Sequence, residues 1–394
     1  MAGQNASILV VDDVPENRDL LIRRLSRLGY SHFDQAADGN EALAAIARTR
    51  YDLVLLDIMM PDLDGFGVLE ALKADGRIND LPVIVISALN EIDPVVRCIE
   101  LGADDFLFKP FNPILLRARV TATLEKKALR DQTRDELHRK QIELNEARTL
   151  QLALVAPSFR GEVAGRSLAV DVLLLPAKEV GGDLVDYFPV GDELMVLAIG
   201  DVSDKGAAAA LMMARTHSIF RSLSARPDAV ALFGDPARAV ALANDALAKG
   251  NDGCMFVTFL LAVLHVPSGT LSYVRAGHVP PFLHSGGELT RLSGMGGPAL
   301  GIVEEFPYRA ATHQMMPGDR LLVVTDGFTE AQDRVGALYG EERLGALFAG
   351  TDAVLPGAVL AQMAGDVRSF EAGLPPFDDM AGILLTLPPD HGEH

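Results

Sequence analysis

Residues 53–65 read LVLLDIMMPDLDG, a short apolar run that ends at the acidic residue Asp57. The run 53–56 has the length and aliphatic composition of a buried strand, and Asp57 follows it directly. In an open parallel sheet, ligands collect beyond the carboxyl ends of the strands. This stretch therefore predicts a functional carboxylate at the edge of a sheet.

Other strand candidates surround this run and alternate with amphipathic helical stretches; they lie at residues 8–11, 32–36, 83–86 and 105–108. Strands that alternate with helices predict a parallel sheet covered by helices on both faces. The expected fold of the first part of the chain is an α/β doubly wound, flavodoxin-like domain with a parallel five-stranded sheet.

Functional groups follow four of these predicted strands. They are Asp12 and Asp13, Asp57, Ser87, and Lys109. Three carboxylates in one pocket repel one another unless a hard cation lies between them, and Mg²⁺ suits carboxylate and water oxygens. Asp57 would then be a nucleophile toward phosphorus, with Lys109 and the Ser87 hydroxyl contacting the phosphoryl oxygens.

The motifs LVVDD, LLDIMMPDLDG, VISA and FLFKPF resemble those of the response-regulator receiver family, over about residues 7–124. The resemblance implies that Asp57 is the phosphoacceptor. It also implies that Asp13, Asp57 and the carbonyl group of Met59 bind Mg²⁺, with support from Asp12.

By the same resemblance, Lys109 pairs with the phosphoryl group, and the Lys109–Pro110 peptide is cis. Ser87 and Phe106 would form the pair that repacks on phosphorylation. The implied phosphodonor is a histidine kinase or a phosphotransfer protein.

Residues 116–155 contain no Gly or Pro and are rich in charged residues and Leu, which predicts one long helix or two joined end to end. Leu116, Val120, Leu137 and Leu144 follow heptad spacing, although charged residues occupy other positions of the same seam. A dimeric coiled coil, which would make the protein a homodimer, and a solvated connecting helix both fit this pattern.

From about residue 160 the chain becomes strand-rich, and its turns carry aspartates in the segments VGGD, AIGDVSDKG, VVTDGFTE and FDDMAGILL. The aspartates are Asp183, Asp201, Asp326, Asp378 and Asp379. Carboxylates beside buried strands are costly unless the fold brings them together on cations, and oxygen ligands favour Mg²⁺ or Mn²⁺. Two such ions could activate water for attack on a phosphate.

These segments, together with LPAKEVGGDLVDYF and DVSDKGAAAALMMA, resemble the bacterial PP2C-like phosphatases that control sporulation and stress sigma factors, over about residues 150–387. The implied fold is an α+β PP2C-like β-sandwich flanked by helices. Two Mn²⁺ or Mg²⁺ ions are implied. Asp183, Asp201 and the Val202 carbonyl would hold one, and Asp201, Asp326 and Asp378 the other; Asp378 is favoured over Asp379.

The sequence departs from this family at several positions without losing a ligand. Leu184 and Val185 stand where the family has aromatic residues, and Asp204 stands where it has Gly. His278 is interpreted as a packed turn residue, with a metal ligand or general acid as the alternative. Lys205 is interpreted as a surface lysine, with a contact to the substrate phosphate as the alternative.

The predicted organisation is a receiver domain at residues 1–124, a helical linker at 125–157 and a phosphatase domain at 158–389. The predicted function is a receiver-controlled protein serine/threonine phosphatase, with a phosphorylated anti-sigma factor antagonist as the substrate that the resemblance implies. The alternative is a non-catalytic adaptor in which a phosphatase fold, gated by the receiver, binds an anti-sigma or sigma-pathway protein.

Composition excludes several other classes of function. The formal net charge of −19 argues against nucleic-acid binding, which needs clustered Lys and Arg. No apolar run approaches the ~20 residues of a membrane span, and the N-terminus lacks a signal-peptide pattern, so a cytoplasmic location is expected. Cys98 and Cys254, the two cysteines, are expected to be reduced core thiols.

Overall fold

The computed structural model describes residues 5–88, 92–178, 180–251, 253–351 and 358–389. The chain divides into two compact units, residues 1–140 and 141–394. Each unit contains its own hydrophobic core.

The first unit is a parallel sheet covered by helices. Its strand order is β2-β1-β3-β4-β5, and the strands are β1 (Ser7–Val11), β2 (His32–Ala36), β3 (Leu53–Asp57), β4 (Val83–Ala88) and β5 (Asp105–Lys109). The helices are α1 (Pro15–Arg27), α2 (Gly39–Arg48), α3 (Gly65–Ala74), α4 (Ile92–Leu101) and α5 (Pro113–Leu152), with a 3-10 turn at Arg77–Asn79. The predicted doubly wound fold and its five strands are confirmed.

The order of the strands explains how separate sequence motifs meet. β3 is buried along its whole length, as expected for a parallel strand with helices on both faces. Because β1 and β3 are parallel neighbours, their carboxyl ends reach the same edge of the sheet. Gly65 closes the following loop tightly, since a Cβ there would lie 2.5 Å from the carbonyl oxygen of Asp57.

The long helix α5 is continuous, but the predicted coiled-coil seam is wrong in its first half. Leu116 and Val120 have no exposed surface and pack in the core of the first unit, so they cannot contact a second helix. Leu137, by contrast, is 63% exposed.

The second unit contains two sheets, of order β14-β11-β10-β9-β8 (with β15 on β11) and β13-β12-β16-β17-β7-β6. The strands are β6 (Phe159–Val163), β7 (Arg166–Leu175), β8 (Leu184–Val190), β9 (Leu194–Val202), β10 (Val257–His265), β11 (Thr270–Ala276), β12 (Phe282–Ser285), β13 (Glu288–Arg291), β14 (Gly296–Gly297), β15 (Ala311–Gln314), β16 (Arg320–Val324) and β17 (Met380–Thr386). The helices are α6 (Ala207–Ser224), α7 (Ala229–Phe233), α8 (Pro236–Ala248), α9 (Glu341–Gly350) and α10 (Ala358–Phe370), with a 3-10 turn at Asp326–Phe328.

Three apolar clusters hold the second unit together. One contains residues of both sheets, such as Leu197 and Ile383, and fills the space between them. Another packs α6, α7 and α8 on the first sheet, and the third packs α9 and α10 on the second. The predicted sandwich flanked by helices is confirmed.

The two cysteines differ in their surroundings. Cys98 is buried, as predicted, but Cys254 is exposed, so its interpretation as a core thiol is wrong. Cys254 lies in an irregular loop with a φ of 52°, outside the apolar pattern of the neighbouring strand β10.

Candidate phosphoacceptor and metal sites

The edge of the first sheet brings together the acidic residues predicted there. Asp12, Asp13 and Asp57 each offer a carboxylate oxygen, and these atoms lie within 4.8 Å of one another. In the parts of the chain that the structure describes, this is the one such group of three His, Cys, Asp or Glu residues. Three carboxylates at this spacing fit a hard divalent cation such as Mg²⁺.

Lys109 lies among these carboxylates, as predicted. Its Nζ is 2.6 Å from Oδ2 of Asp57 and 2.8 Å from Oδ2 of Asp12. Burial raises the pKa of Asp57, and the hydrogen bond and charge of Lys109 offset part of this shift. The Lys109–Pro110 peptide is cis, as predicted.

The other predicted residues surround this edge. Ser87 is buried and directly follows Ile86, the residue paired with Asp57 across the sheet. The Phe106 ring makes an edge contact with Phe108. Met59 exposes its side chain, while its N–H lies 3.4 Å from Oδ1 of Asp57.

In the second unit, burial and the charges of neighbouring carboxylates raise the pKa values of three predicted aspartates. Burial, followed by the charges of Asp201 and Asp379, raises the pKa of Asp183 well above its ordinary value. The pKa of Asp201 is raised to about 7, first by burial and then by Asp326 and Asp378. The pKa of Asp326 is raised to about 6, mainly by burial. The fold therefore gathers these side chains into one acidic region.

Individual contacts position these aspartates. Asp183 is 1% exposed and accepts a hydrogen bond of 2.7 Å from the Thr325 hydroxyl. Gly182 permits close packing here, because a Cβ on it would lie 3.3 Å from the carbonyl oxygen of Val202. The carbonyl group of Val202, which was predicted to bind metal, therefore faces the turn that carries Asp183.

Asp378 and Asp379 occupy different environments. Asp378 is partly exposed, and its Oδ2 lies 2.6 Å from Nζ of Lys205. Both oxygens of the buried Asp379 accept backbone hydrogen bonds, from Ala177 at 2.7 Å and from Gly182 at 2.8 Å. The preference for Asp378 over Asp379 as a metal ligand stays a prediction.

Comparison with protein families identifies both units. The model of the response regulator receiver domain matches residues 8–121. The model of stage II sporulation protein E (SpoIIE) matches residues 191–388, which is half of the chain. The chain belongs to the SpoIIE family. Its first unit is a response-regulator receiver domain, and its second is a SpoIIE-type, PP2C-like phosphatase domain.

Curated relatives match part of the chain. The probable transcriptional regulator ycf27 of Porphyridium aerugineum is 43% identical over 123 residues, which are 31% of this chain and 50% of that protein. The response regulator PleD of Caulobacter vibrioides is 38% identical over 187 residues, 47% of this chain and 39% of that protein. The chain thus spans half the length, or less, of these two relatives.

A solved structure supports the fold of the SpoIIE-type domain. The SiaA-PP2C domain of Pseudomonas aeruginosa superimposes with a TM-score of 0.53 at 17% identity, covering 64% of this chain and 98% of that one. No described helix is both long enough and apolar enough to cross a membrane.

Two features of the SpoIIE-type domain were not assigned from its sequence. Gln151 forms two hydrogen bonds with the backbone of Gly181, two residues before Asp183. Lys205, interpreted as a surface lysine, pairs with Asp378. Only the short spacing of Lys205 from Asp201 could have indicated such a contact. His278 is buried and contacts the carbonyl oxygen of Val279, in agreement with its interpretation as a packed turn residue.

Proposed function

We propose that this chain is a response regulator in which phosphorylation of Asp57 controls hydrolysis of phosphoserine or phosphothreonine on a protein. A histidine kinase or a phosphotransfer protein donates the phosphoryl group. The observation that carries the phosphatase assignment is that Asp183, which is buried, and Asp201, which is partly buried, lie among further carboxylates whose charges raise the pKa values of both. Keeping several carboxylates close together costs free energy because their charges repel one another. This arrangement favours a site at which divalent cations bind and offset the repulsion.

The carboxylate and carbonyl oxygens of the SpoIIE-type domain have the donor chemistry that suits two Mn²⁺ or Mg²⁺ ions, although no three of its described carboxylates lie within 4.8 Å of one another. Asp183, Asp201 and the Val202 carbonyl would hold one, and Asp201, Asp326 and Asp378 the other. When bound, such ions supply water activated for attack on a phosphate. Thr325 keeps Asp183 oriented through its hydrogen bond, and Lys205, which pairs with Asp378, would contact the substrate phosphate.

The receiver site fits one Mg²⁺ held by Asp13, Asp57 and the Met59 carbonyl. Asp12 supports this arrangement, because Asn17 and the N–H of Val14 bind one of its oxygens and hold it in place. Lys109 would pair with a phosphoryl oxygen after transfer to Asp57.

The proposed substrate is a phosphorylated anti-sigma factor antagonist, which dephosphorylation frees to bind its anti-sigma factor. The family resemblance supports this choice. The protein would then act in a partner-switching pathway in which the phosphatase sets the level of active antagonist.

Coupling would run through α5, the covalent connection between the domains. The end of this helix contacts the first metal-binding segment through Gln151 and Gly181. Leu137 is exposed and Leu144 is partly exposed, one heptad apart on the helix, and both would pair with a second copy of the chain. A change in receiver packing or dimer contacts on phosphorylation would then shift the helix and the turn that precedes Asp183.

The decisive experiment is a Mn²⁺-dependent hydrolysis assay on phosphorylated antagonist proteins, with the full chain as enzyme. Asp326→Asn should abolish hydrolysis. Asp228→Asn, which changes an exposed aspartate paired with Arg226, is the matched control and should leave it intact. Binding of the antagonist's partner without any hydrolysis, unchanged in Asp326→Asn, would instead support the adaptor.

A further inference from the structure

Asp379 is a buried carboxylate of the SpoIIE-type domain that backbone groups hold in place. It is 8% exposed, and its two oxygens accept hydrogen bonds from different segments of backbone. Oδ1 accepts the N–H of Ala177, and Oδ2 accepts the N–H of Gly182. These donors lie on either side of the loop that leads from β7 to Asp183, so one side chain fixes both ends of the loop.

Packing around Asp379 leaves little space for movement. A Cβ on Gly181 would lie 2.1 Å from Oδ2 of Asp379, and a Cβ on Gly327 would lie 1.7 Å from its carbonyl oxygen. Gly181 belongs to the turn that carries Asp183, and Gly327 directly follows Asp326. Asp379 therefore separates two turns that present metal-binding aspartates, and both turns need glycine to approach it.

The neighbouring residue Asp378 has the opposite character. Its side chain is 28% exposed. One oxygen accepts the N–H of Asp379 at 2.9 Å, and the other accepts from the half-exposed ammonium group of Lys205. An ion that replaces Lys205 leaves the backbone hydrogen bond of Asp378 intact, whereas an ion on Asp379 would share both carboxylate oxygens with backbone donors.

We propose that Asp379 is a positioning residue that holds the Asp183 turn against the Asp326 turn and does not ligate metal. The inference rests on the proposed function, because it assigns a role within that metal site. A carboxylate suits this role, since it can accept from two N–H groups at once. An asparagine has one acceptor oxygen and presents its NH₂ group to the second donor.

The test compares Asp379→Asn with Asp378→Asn in the full chain. Bound Mn²⁺ is counted by equilibrium dialysis with metal analysis, and affinity is measured by calorimetry. Asp378→Asn should bind one Mn²⁺ fewer per chain than wild type. Asp379→Asn should keep the wild-type number with affinity weakened about tenfold, the size expected for one charge-assisted hydrogen bond.

Kinetics and hydrogen exchange add readouts that separate positioning from general instability. Asp379→Asn should lower kcat on a phosphoprotein with little change in KM, and should speed amide exchange of Gly182 at unchanged melting temperature of the receiver domain. Gly181→Ala pushes the same carboxylate aside without altering it, so it should reproduce these effects. If Asp379→Asn does not fold, the results for Gly181→Ala test the positioning role of Asp379 instead.

Loss of one Mn²⁺ in Asp379→Asn, equal to the loss in Asp378→Asn, would overturn the proposal and make Asp379 a ligand. Unchanged affinity and exchange in both Asp379→Asn and Gly181→Ala would also overturn it. Failure of the proposed function gives a different result, in which wild type itself binds no Mn²⁺ at this site.

Discussion

The side-chain amide of Gln151 forms a reciprocal pair of hydrogen bonds with the backbone of Gly181. Its nitrogen donates to the carbonyl oxygen of Gly181 at 2.8 Å, and its oxygen accepts the N–H of Gly181 at 3.0 Å. Gln151 is 6% exposed and lies in the last turn of α5. The end of the linker helix is thus bonded to the turn that carries Asp183.

Replacing Gln151 with Leu should uncouple the phosphatase from the receiver. Leu has a similar volume but cannot pair with Gly181, which leaves a buried N–H and C=O unsatisfied at a cost of about 1–3 kcal/mol each. We expect the hydrolysis rate of Gln151→Leu to be the same with and without receiver phosphorylation. Gln132→Leu, at an exposed position of the same helix, is the control. If Gln151→Leu still responds to phosphorylation as wild type does, the coupling does not depend on the contact between Gln151 and Gly181.

Asp57→Asn should abolish phosphorylation by a small acyl-phosphate donor. The carboxylate of Asp57 is the nucleophile, and an amide cannot replace it. The measurement is the gain of one phosphoryl group by intact-protein mass spectrometry, with and without Mg²⁺. Asp62→Asn is a suitable control, because Asp62 has a φ of 63° and Asn tolerates that conformation. Equal phosphorylation of Asp57→Asn and wild type would exclude Asp57 as the acceptor.

The receiver site could be predicted from sequence because each functional residue follows its own strand. The carboxyl ends of parallel strands meet at one edge of the sheet. The strand pattern alone was therefore enough to predict that Asp57 and Lys109 lie close together. Gln151 and Asp379 could not be predicted in this way. Their partners lie 30 and 197 residues away, and the hydrogen bonds involve backbone groups that leave no mark on the sequence.

The linker shows a second limit of pattern-based prediction. Heptad spacing identifies apolar positions on one face of a helix. It does not show whether that face packs against a second helix or against a sheet. Leu116 and Val120 pack into the receiver core instead. Strand β7 was also not predicted, and the buried Asp171, which pairs with Arg160, interrupts its apolar pattern.

Stability without metal should fall as pH rises. The pKa values of Asp201 and Asp326 are raised from 3.8 to about 7 and about 6. The folded state therefore binds protons more tightly than the unfolded state, and this contribution is complete below pH 3.8 and is lost as pH rises through 6 and 7. In EDTA, the melting temperature of the SpoIIE-type domain within the full chain should be lower at pH 8 than at pH 5.5.

Added Mn²⁺ should reverse this trend, because the ion binds deprotonated carboxylates and its affinity rises over the same pH range. Asp201→Asn should flatten the pH dependence in EDTA. Calorimetric scans at several pH values provide the measurement. A melting temperature in EDTA that rises between pH 5.5 and pH 8 would contradict the assigned pKa shifts.

Lys205→Met should strengthen Mn²⁺ binding. Burial lowers the pKa of Lys205, but the hydrogen bond and charge of Asp378 outweigh this effect and raise it, so the ammonium group stays charged beside the carboxylate. Lys205 therefore competes with a cation for Asp378. Because the lysine is half exposed, we expect a modest gain of about two- to fivefold in Mn²⁺ affinity. Lys249→Met is the control, and weaker binding in Lys205→Met would show that the lysine assists metal binding.

Lys127 should hold the start of the linker against the receiver. It lies between Asp52, on the loop before β3, and Asp131, one turn further along α5. Burial lowers the pKa of Lys127, but its hydrogen bonds to Asp131 and Asp52 raise it overall. Arg134 makes a further contact of 3.1 Å with Asp80, so several ion pairs tie two turns of this helix to receiver loops.

Lys127→Met should loosen these two turns while leaving the receiver core folded. Ion pairs of this kind contribute about 0.2–1 kcal/mol each, so amide exchange at residues 127–134 should accelerate a few-fold. High salt should produce part of the same change in wild type, because it screens the partly exposed pairs. Lys140→Met, further along the helix at an exposed position, should have no effect on this segment. Exchange that is insensitive to both Lys127→Met and salt would mean that apolar packing alone holds the helix here.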